Sequence, residues 1–274
     1  MRASHLKIKR YKTSRGGMGW LVLLLLLALG GGLYFFYQQG SLPLPQALSP
    51  APTLTPEEAR WEERTLILPG QSWYALQLGV FDQQASAQAL ADRFQARGAG
   101  GFIDDRERYR VLAAAYESRG DAQAVQQQLQ SLHNVEAYLI ALESPEITLR
   151  ITGQKAQLTA LEDALTALHQ TARQLSSLSL ALDRGEMGRE ALLNALASQQ
   201  QTLAALEKRL HQLFGDHPHS AVQPVLSALE QLSGAMEGAR QAPGETRLGA
   251  QIKYCQLLCI VRLSQYAQSL SAHQ

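Results

Sequence analysis

Met18 to Tyr37 reads MGWLVLLLLLALGGGLYFFY, twenty residues without a charged side chain. A helix rising about 1.5 Å per residue carries such a run across roughly 30 Å, the hydrocarbon thickness of a bilayer. Trp20 lies near one end and Tyr34 and Tyr37 near the other, where amphipathic rings suit the headgroup region. Residues 1–17 hold Arg2, Lys7, Lys9, Arg10, Lys12 and Arg15 and no acidic residue, so the positive-inside rule keeps them in the cytoplasm. A cleaved signal peptide fits less well. The apolar run exceeds the usual 7–15 residues, and Tyr34-Phe35-Phe36-Tyr37 puts bulky rings where a peptidase needs small side chains. The sequence therefore predicts a single-pass membrane protein. It has a cytoplasmic basic N-terminus (1–17), a transmembrane helix (18–37) in contact with the lipid bilayer, and an extracytoplasmic remainder.

That remainder has nineteen basic against twenty-four acidic residues, a formal charge of −5. It lacks the broad basic surface that phosphate contacts demand, so nucleic acid is not an expected partner. Residues 38–71 contain Pro43, Pro45, Pro50, Pro52, Pro56 and Pro69, six of the ten prolines. Repeated proline favours an extended, semi-rigid spacer. Within it, Thr55-Pro56-Glu57-Glu58 has the form of a helix start and predicts a short helix over about 56–64.

Residues 72–142 change character. Ser72 to Phe81 is aromatic and alternating, a strand pattern. Asp82 is placed to cap a helix from Gln83 to about Ala96, with Ala87, Leu90, Ala91 and Phe94 at 3–4 spacing. Gly98, Gly100 and Gly101 end it. Phe102-Ile103 suits a short strand, Asp104 to Glu107 a polar turn, and Tyr109 to Ala115 a further strand. Ser118 caps a helix over Asp121 to Leu132, and Glu136 to Leu142 closes as a fourth strand. The order β-α-β-β-α-β predicts a four-stranded antiparallel sheet with two helices on one face and the other face open.

The strand Trp73-Tyr74-Ala75-Leu76-Gln77-Leu78-Gly79-Val80-Phe81 resembles the opening strand of the SPOR (sporulation-related repeat) domain family, an aromatic followed by V-Q-x-G-x-F. Tyr109-Arg110-Val111, then Tyr116, Ser118, Arg119 and Ala122, resemble its third strand and second helix. Where the family has a Gly-Pro-Phe turn, this chain has Ala114-Ala115-Tyr116. The resemblance covers about residues 72–142, a quarter of the chain. It implies binding of peptidoglycan glycan strands denuded of stem peptides, at a division or sporulation septum, through the open sheet face. By motif position it puts Gln77, Tyr109 and Arg110 at the glycan, with Tyr74 and Arg108 as further candidates. Alternation sets Ala75, Gln77, Arg110 and Leu112 on the open face and Val111 toward the helices. An amide and a guanidinium suit sugar hydroxyls and acetamido groups, and a tyrosine ring packs on a sugar face.

From about residue 145 the chain turns helical after one more alternating stretch, Ile147 to Ile151. Leucine stripes at 3–4 spacing, broken at Asp183-Arg184-Gly185, Gly215 to Pro218 and Gln241 to Gly244, predict four amphipathic helices in a bundle over 145–272. The fold class read from the sequence is thus α+β: a transmembrane helix, a small βαββαβ domain and an all-α tail. Cys255 and Cys259 fall on an apolar stripe and read as buried small hydrophobes rather than a disulfide or ligand pair.

No catalytic pattern is present. His217 and His219 adjoin Asp216 in one turn, short of the three spaced ligands and base of a zinc hydrolase. Neither a G-x-S-x-G elbow nor a Walker loop occurs. The chain reads as a binding protein, not an enzyme, with no cofactor and no metal. The alternative function is a membrane-tethered scaffold acting through its helical bundle on division or sporulation proteins, without glycan binding.

Overall fold

The computed structural model describes residues 54–215 and 218–271. The expected membrane span, Met18–Tyr37, and the basic segment before it lie outside the described residues. Among the described residues no helix is long and apolar enough to cross a membrane. Those residues form an α+β structure with six strands and six helices.

Four strands make the sheet anticipated from the alternating pattern: β2 (Gln71–Phe81), β3 (Phe102–Asp104), β4 (Tyr109–Tyr116) and β5 (Tyr138–Ser144). Their order is β3-β4-β2-β5, all antiparallel. Helices α1 (Gln84–Gln95) and α2 (Arg119–His133) cover one face. Ser118 caps α2 by accepting from the Asp121 N–H at 3.3 Å. Asp82, read as the cap of α1, instead pairs with Arg108 at 2.7 Å, and α1 starts from Gln83 without a side-chain cap.

The spacer differs from expectation. Residues 61–68 form strand β1 (Trp61–Leu68), paired along its length with β6 (Ile147–Gln154) in a separate two-stranded ribbon. The start signal at Thr55 is real, since Thr55 Oγ1 accepts from the Glu58 N–H and Glu58 Oε2 accepts from both Thr55 donors. It yields only one turn. Residues 61–68 alternate, with Leu66 and Leu68 buried and Trp61 and Ile67 exposed, a period-2 pattern that a helix cannot bury on one side. Arg64 fixes the ribbon to the helices by donating to Glu62, Thr159 and Glu162.

The tail is a four-helix arrangement: α3 (Lys155–Asp183), α4 (Arg189–Phe214), α5 (Gln223–Arg240) and α6 (Gly244–Ser271). Each helix packs on its chain neighbour, and α6 closes the ring against α3. Here the structure departs most from expectation. Helix α6 also lies across β3, β4 and β5 on the face opposite α1 and α2. The expected open face is covered, because Trp73, Ala75, Phe102, Leu112, Ala115 and Leu142 belong to the same apolar core as α3 and α6. The physical reason lies in the sequence of α6. Cys255 to Val261 are all buried, seven in succession, so this stretch is enclosed on every side rather than along one stripe. Gln256, the polar member of the run, donates its side-chain N–H to the Ala115 carbonyl at 2.9 Å.

Cys255 and Cys259 are free and buried. Cys259 donates to the Leu168 carbonyl at 3.2 Å. Burial disfavours the thiolate and pushes both thiols up to about 12. Two results are expected. Neither thiol should react with an aromatic disulfide reagent at pH 8 until the protein is unfolded. Stability should also fall as pH rises above about 8.5, the ordinary thiol value, because the unfolded chain then loses protons that the folded chain keeps. Rapid labelling of the native protein would contradict the buried placement.

Candidate functional site

The register places the residues of the covered face in rows. Phe102 on β3 pairs with Leu112 on β4, Leu112 with Gln77 on β2, and Gln77 with Tyr138 on β5. Exposure rises along this row: Phe102 and Leu112 are buried beneath α6, Gln77 is half-buried, and Tyr138 is 58% exposed. In the next row of that face, Asp104 pairs with Arg110 and Arg110 with Val80. Helix α6 therefore closes the middle of the face and leaves one end, carrying Gln77, Arg110 and Tyr138, within reach of solvent.

Two irregularities between β2 and β4 shape this end. The ladder slips between Leu76 and Gln77 and again between Gln77 and Gly79. The first slip leaves Ala113 as an extra residue, so Ala113 and Ala114 both join the α2-side cluster. Bulges of this kind twist a strand and re-aim its side chains. The expected partition of faces holds on either side of them: Leu112 packs toward the bundle and Val111 toward α1.

Of the five residues singled out from the sequence, the structure brings two together on the sheet face, Gln77 and Arg110. Arg110 makes an ion pair with Glu107 three residues before it. Tyr109 points the other way and packs with the Ala87, Ala91 and Val111 cluster beneath α1. Tyr74 likewise packs on the α2 side. Arg108 is exposed and paired with Asp82 at the turn. Sequence reading missed Tyr138. Its signal was the alternation of Glu136 to Leu142, which sets Tyr138 on the face of Ile140 and Leu142.

The β3–β4 turn was expected to be polar and solvated, yet Asp104 is 2% exposed. Arg106 grips it with two hydrogen bonds, Nε to Oδ1 at 2.8 Å and Nη2 to Oδ2 at 2.7 Å. The bonds to Asp104 raise the Arg106 guanidinium above its ordinary value. That fork stiffens the turn next to Arg110.

Three of the clefts that adjoin the sheet bear on its helix-covered face and its β3 edge. One of about 700 Å³ lies between α1 and α2 over Leu76, Ala113, Ala114 and Tyr116. Two others, of about 370 and about 380 Å³, lie along the outer edge of β3 and share Ile103, Asp105 and Tyr254. Among the described residues no cluster of three or more His, Cys, Asp or Glu side chains is placed to hold a metal ion.

Residues 70–141 match the family model of the SPOR domain. The domain class is a peptidoglycan-binding one and is not catalytic. No curated protein and no solved structure matches the chain.

Proposed function

We propose that this chain is a single-pass membrane protein that binds denuded peptidoglycan glycan strands through its SPOR domain at the division or sporulation septum. Its contact surface is the uncovered end of the sheet rather than a whole open face. The observation that carries this reading is the SPOR match over residues 70–141 together with Gln77, Arg110 and Tyr138 on one accessible strip. An amide that both donates and accepts, a guanidinium and an exposed phenol ring suit the hydroxyl and acetamido groups of an amino-sugar strand. The uncharged run Met18–Tyr37 supports the membrane anchor.

The test is retention of the full chain, purified in detergent, on amidase-treated sacculi. The intact protein should be retained. Gln77→Ala should weaken retention by roughly tenfold, the effect of losing one or two polar contacts of about 1 kcal/mol each. Its thermal transition should stay within a few degrees, since Gln77 is half-buried on the sheet surface.

One observation favours a second reading. Closure of the middle of the sheet by α6 removes the surface on which glycan binding was expected. A protein so built would act as a tethered scaffold through the exposed sides of its bundle. Complete failure of the full chain to bind trimmed sacculi would select this reading.

A further inference from the structure

The first edge cleft, about 370 Å³, falls within the size range of small-molecule sites. Gln84, Gln88 and Gln95 of α1, Gln251 and Tyr254 of α6, and Tyr109 of β4 line it. The spacing of Gln84, Gln88 and Gln95 puts the three α1 amides along one side of the helix. Gln88 donates its N–H to Asp92 at 2.7 Å and Gln95 to the Gly100 carbonyl at 2.9 Å, which leaves each side-chain carbonyl as an acceptor. Asp105 is the one carboxylate in the lining. Amides, phenols and one carboxylate offer little to a phosphate or a nucleic acid. They suit a ligand dense in hydroxyls and amides.

Tyr254 separates this cleft from its neighbour. Its ring is tilted against Phe102, centroids 5.5 Å apart, and burial raises its phenol above the ordinary value, so it stays a hydroxyl donor. The second cleft, about 380 Å³, adds Arg262. The guanidinium is held in place by Gln231 at 2.9 Å and Gln265 at 2.7 Å. An amide-lined subsite and one that adds a guanidinium, of nearly equal volume and with Asp105 in both linings, thus adjoin along a single strand edge. Strand β3 pairs with β4 on one side, and on the other the two clefts follow its rim.

We propose that this edge groove is a second glycan site for two adjacent amino-sugar residues, a neutral N-acetyl sugar among the glutamines and a carboxylate-bearing one against Arg262. The proposal rests on the glycan-binding reading above and extends it to a surface that α6 itself completes. Gln251, Tyr254 and Arg262 of α6 supply part of its outer wall, with Gln231 and Ala235 of α5 beside them. The helix that closes the sheet face would thereby build a replacement beside it.

The experiment uses the full chain in detergent, with two probes: tetra-N-acetylchitotetraose, and glycan strands released from amidase-treated sacculi. Addition of the neutral probe should shift the side-chain amide resonances of Gln88 and Gln251. Gln88→Ala with Gln251→Ala should weaken binding of both probes by about tenfold. Gln88→Ala alone, at an exposed helix position, keeps the test valid if the double variant is destabilised. Arg262→Gln should weaken the released strands, which carry carboxylates, and leave the neutral probe unchanged. Unchanged affinity of the glutamine variants for both probes, with Gln77→Ala still impaired, overturns the edge site and spares the sheet-end reading. Equal loss of both probes in Arg262→Gln overturns the carboxylate assignment. No binding of the released strands by the unaltered chain overturns the edge site and the glycan reading together.

Discussion

A chain cut after Ser144 should not fold cooperatively, although it contains all of residues 70–141, the stretch that matches the SPOR family model. In the full chain Trp73, Ala75, Phe102, Leu112, Ala115 and Leu142 are all buried against a core shared with α3 and α6. Removing residues 145–274 exposes that face at once. Each of the four large side chains is worth about 1.5–3 kcal/mol when fully buried, so about 6–12 kcal/mol of burial is forfeited. The figure is an upper estimate, because an unfolded chain already hides part of its apolar surface. It still matches the roughly 5–15 kcal/mol that stabilises a whole domain. The Ala115 carbonyl also loses the buried Gln256 donor, although water can replace that bond once the face is open. The truncated chain should show a broad thermal transition by circular dichroism, bind a hydrophobic dye and aggregate at micromolar concentration. A sharp transition with well-dispersed amide resonances would mean that α6 is an accessory to the sheet and not part of its core. The same reasoning governs any binding assay: a negative result with the excised domain would report a collapsed sheet rather than a lack of sugar affinity.

Much of the domain was legible because its elements announce themselves locally. The strand at Trp73 to Phe81, the cap at Ser118 and the breaks at Gly185 and Gly215 each rest on a few neighbouring residues, and the structure has each of them. The division of faces was legible too, since Val111 and Leu112 fall on opposite sides as alternation requires. What covers a face is a different kind of fact. It depends on a segment some 140 residues away, the separation between Ala115 and Gln256. A signal for it was nonetheless present. The apolar stripe that holds Cys255 and Cys259 continues through Leu248, Ile252, Tyr266 and Leu270. Leu257, Leu258, Ile260 and Val261 lie off that stripe and are just as apolar and just as buried. A helix apolar on all sides needs cover beyond the bundle, whose helices α3 and α5 enclose only part of its circumference. Strand β1 was missed for the opposite reason. Glu62, Glu63 and Arg64 make its first half polar on both faces, and its pairing partner β6 lies about ninety residues on, so no local hairpin signal exists. Of the candidate site, Gln77 and Arg110 were drawn in by family position, and alternation added only the face on which they lie. Tyr109 and Tyr74 were drawn in by family position, although the same alternation sets them toward the helices.

The seating of α6 on the sheet edge can be tested at one atom. Gly100 lies where the loop before β3 passes beneath α6, its N–H donating to the Ala113 carbonyl at 2.6 Å. A Cβ built there would stand 3.0 Å from the Ala113 carbonyl oxygen, 3.1 Å from Leu257 Cδ1 and 3.1 Å from the Lys253 carbonyl carbon. Two of these three neighbours are backbone and cannot yield without moving β4 or α6. Gly100→Ala should therefore cost about 2–3 kcal/mol by overpacking, well above an ordinary surface substitution. Leu257→Ala, at a fully buried position, should cost about 2–5 kcal/mol on its own. The informative measurement is the double variant. If Leu257 rests on Gly100, removing its terminal methyls makes room for the new methyl, and the combined loss should fall short of the sum by about 0.5–2 kcal/mol. The relief is partial because the Lys253 and Ala113 contacts persist. Gly185→Ala is the control: its φ of 67° disfavours a side chain, but nothing lies within 4 Å of the added carbon. It should cost only the conformational strain, about 1–2 kcal/mol, and should add independently to Leu257→Ala. Denaturant titrations of the three single and two double variants decide the matter. Strict additivity between Gly100 and Leu257 would place α6 elsewhere, reopen the sheet face, and restore to Ala75 and Leu112 the exposed position that alternation alone had assigned them.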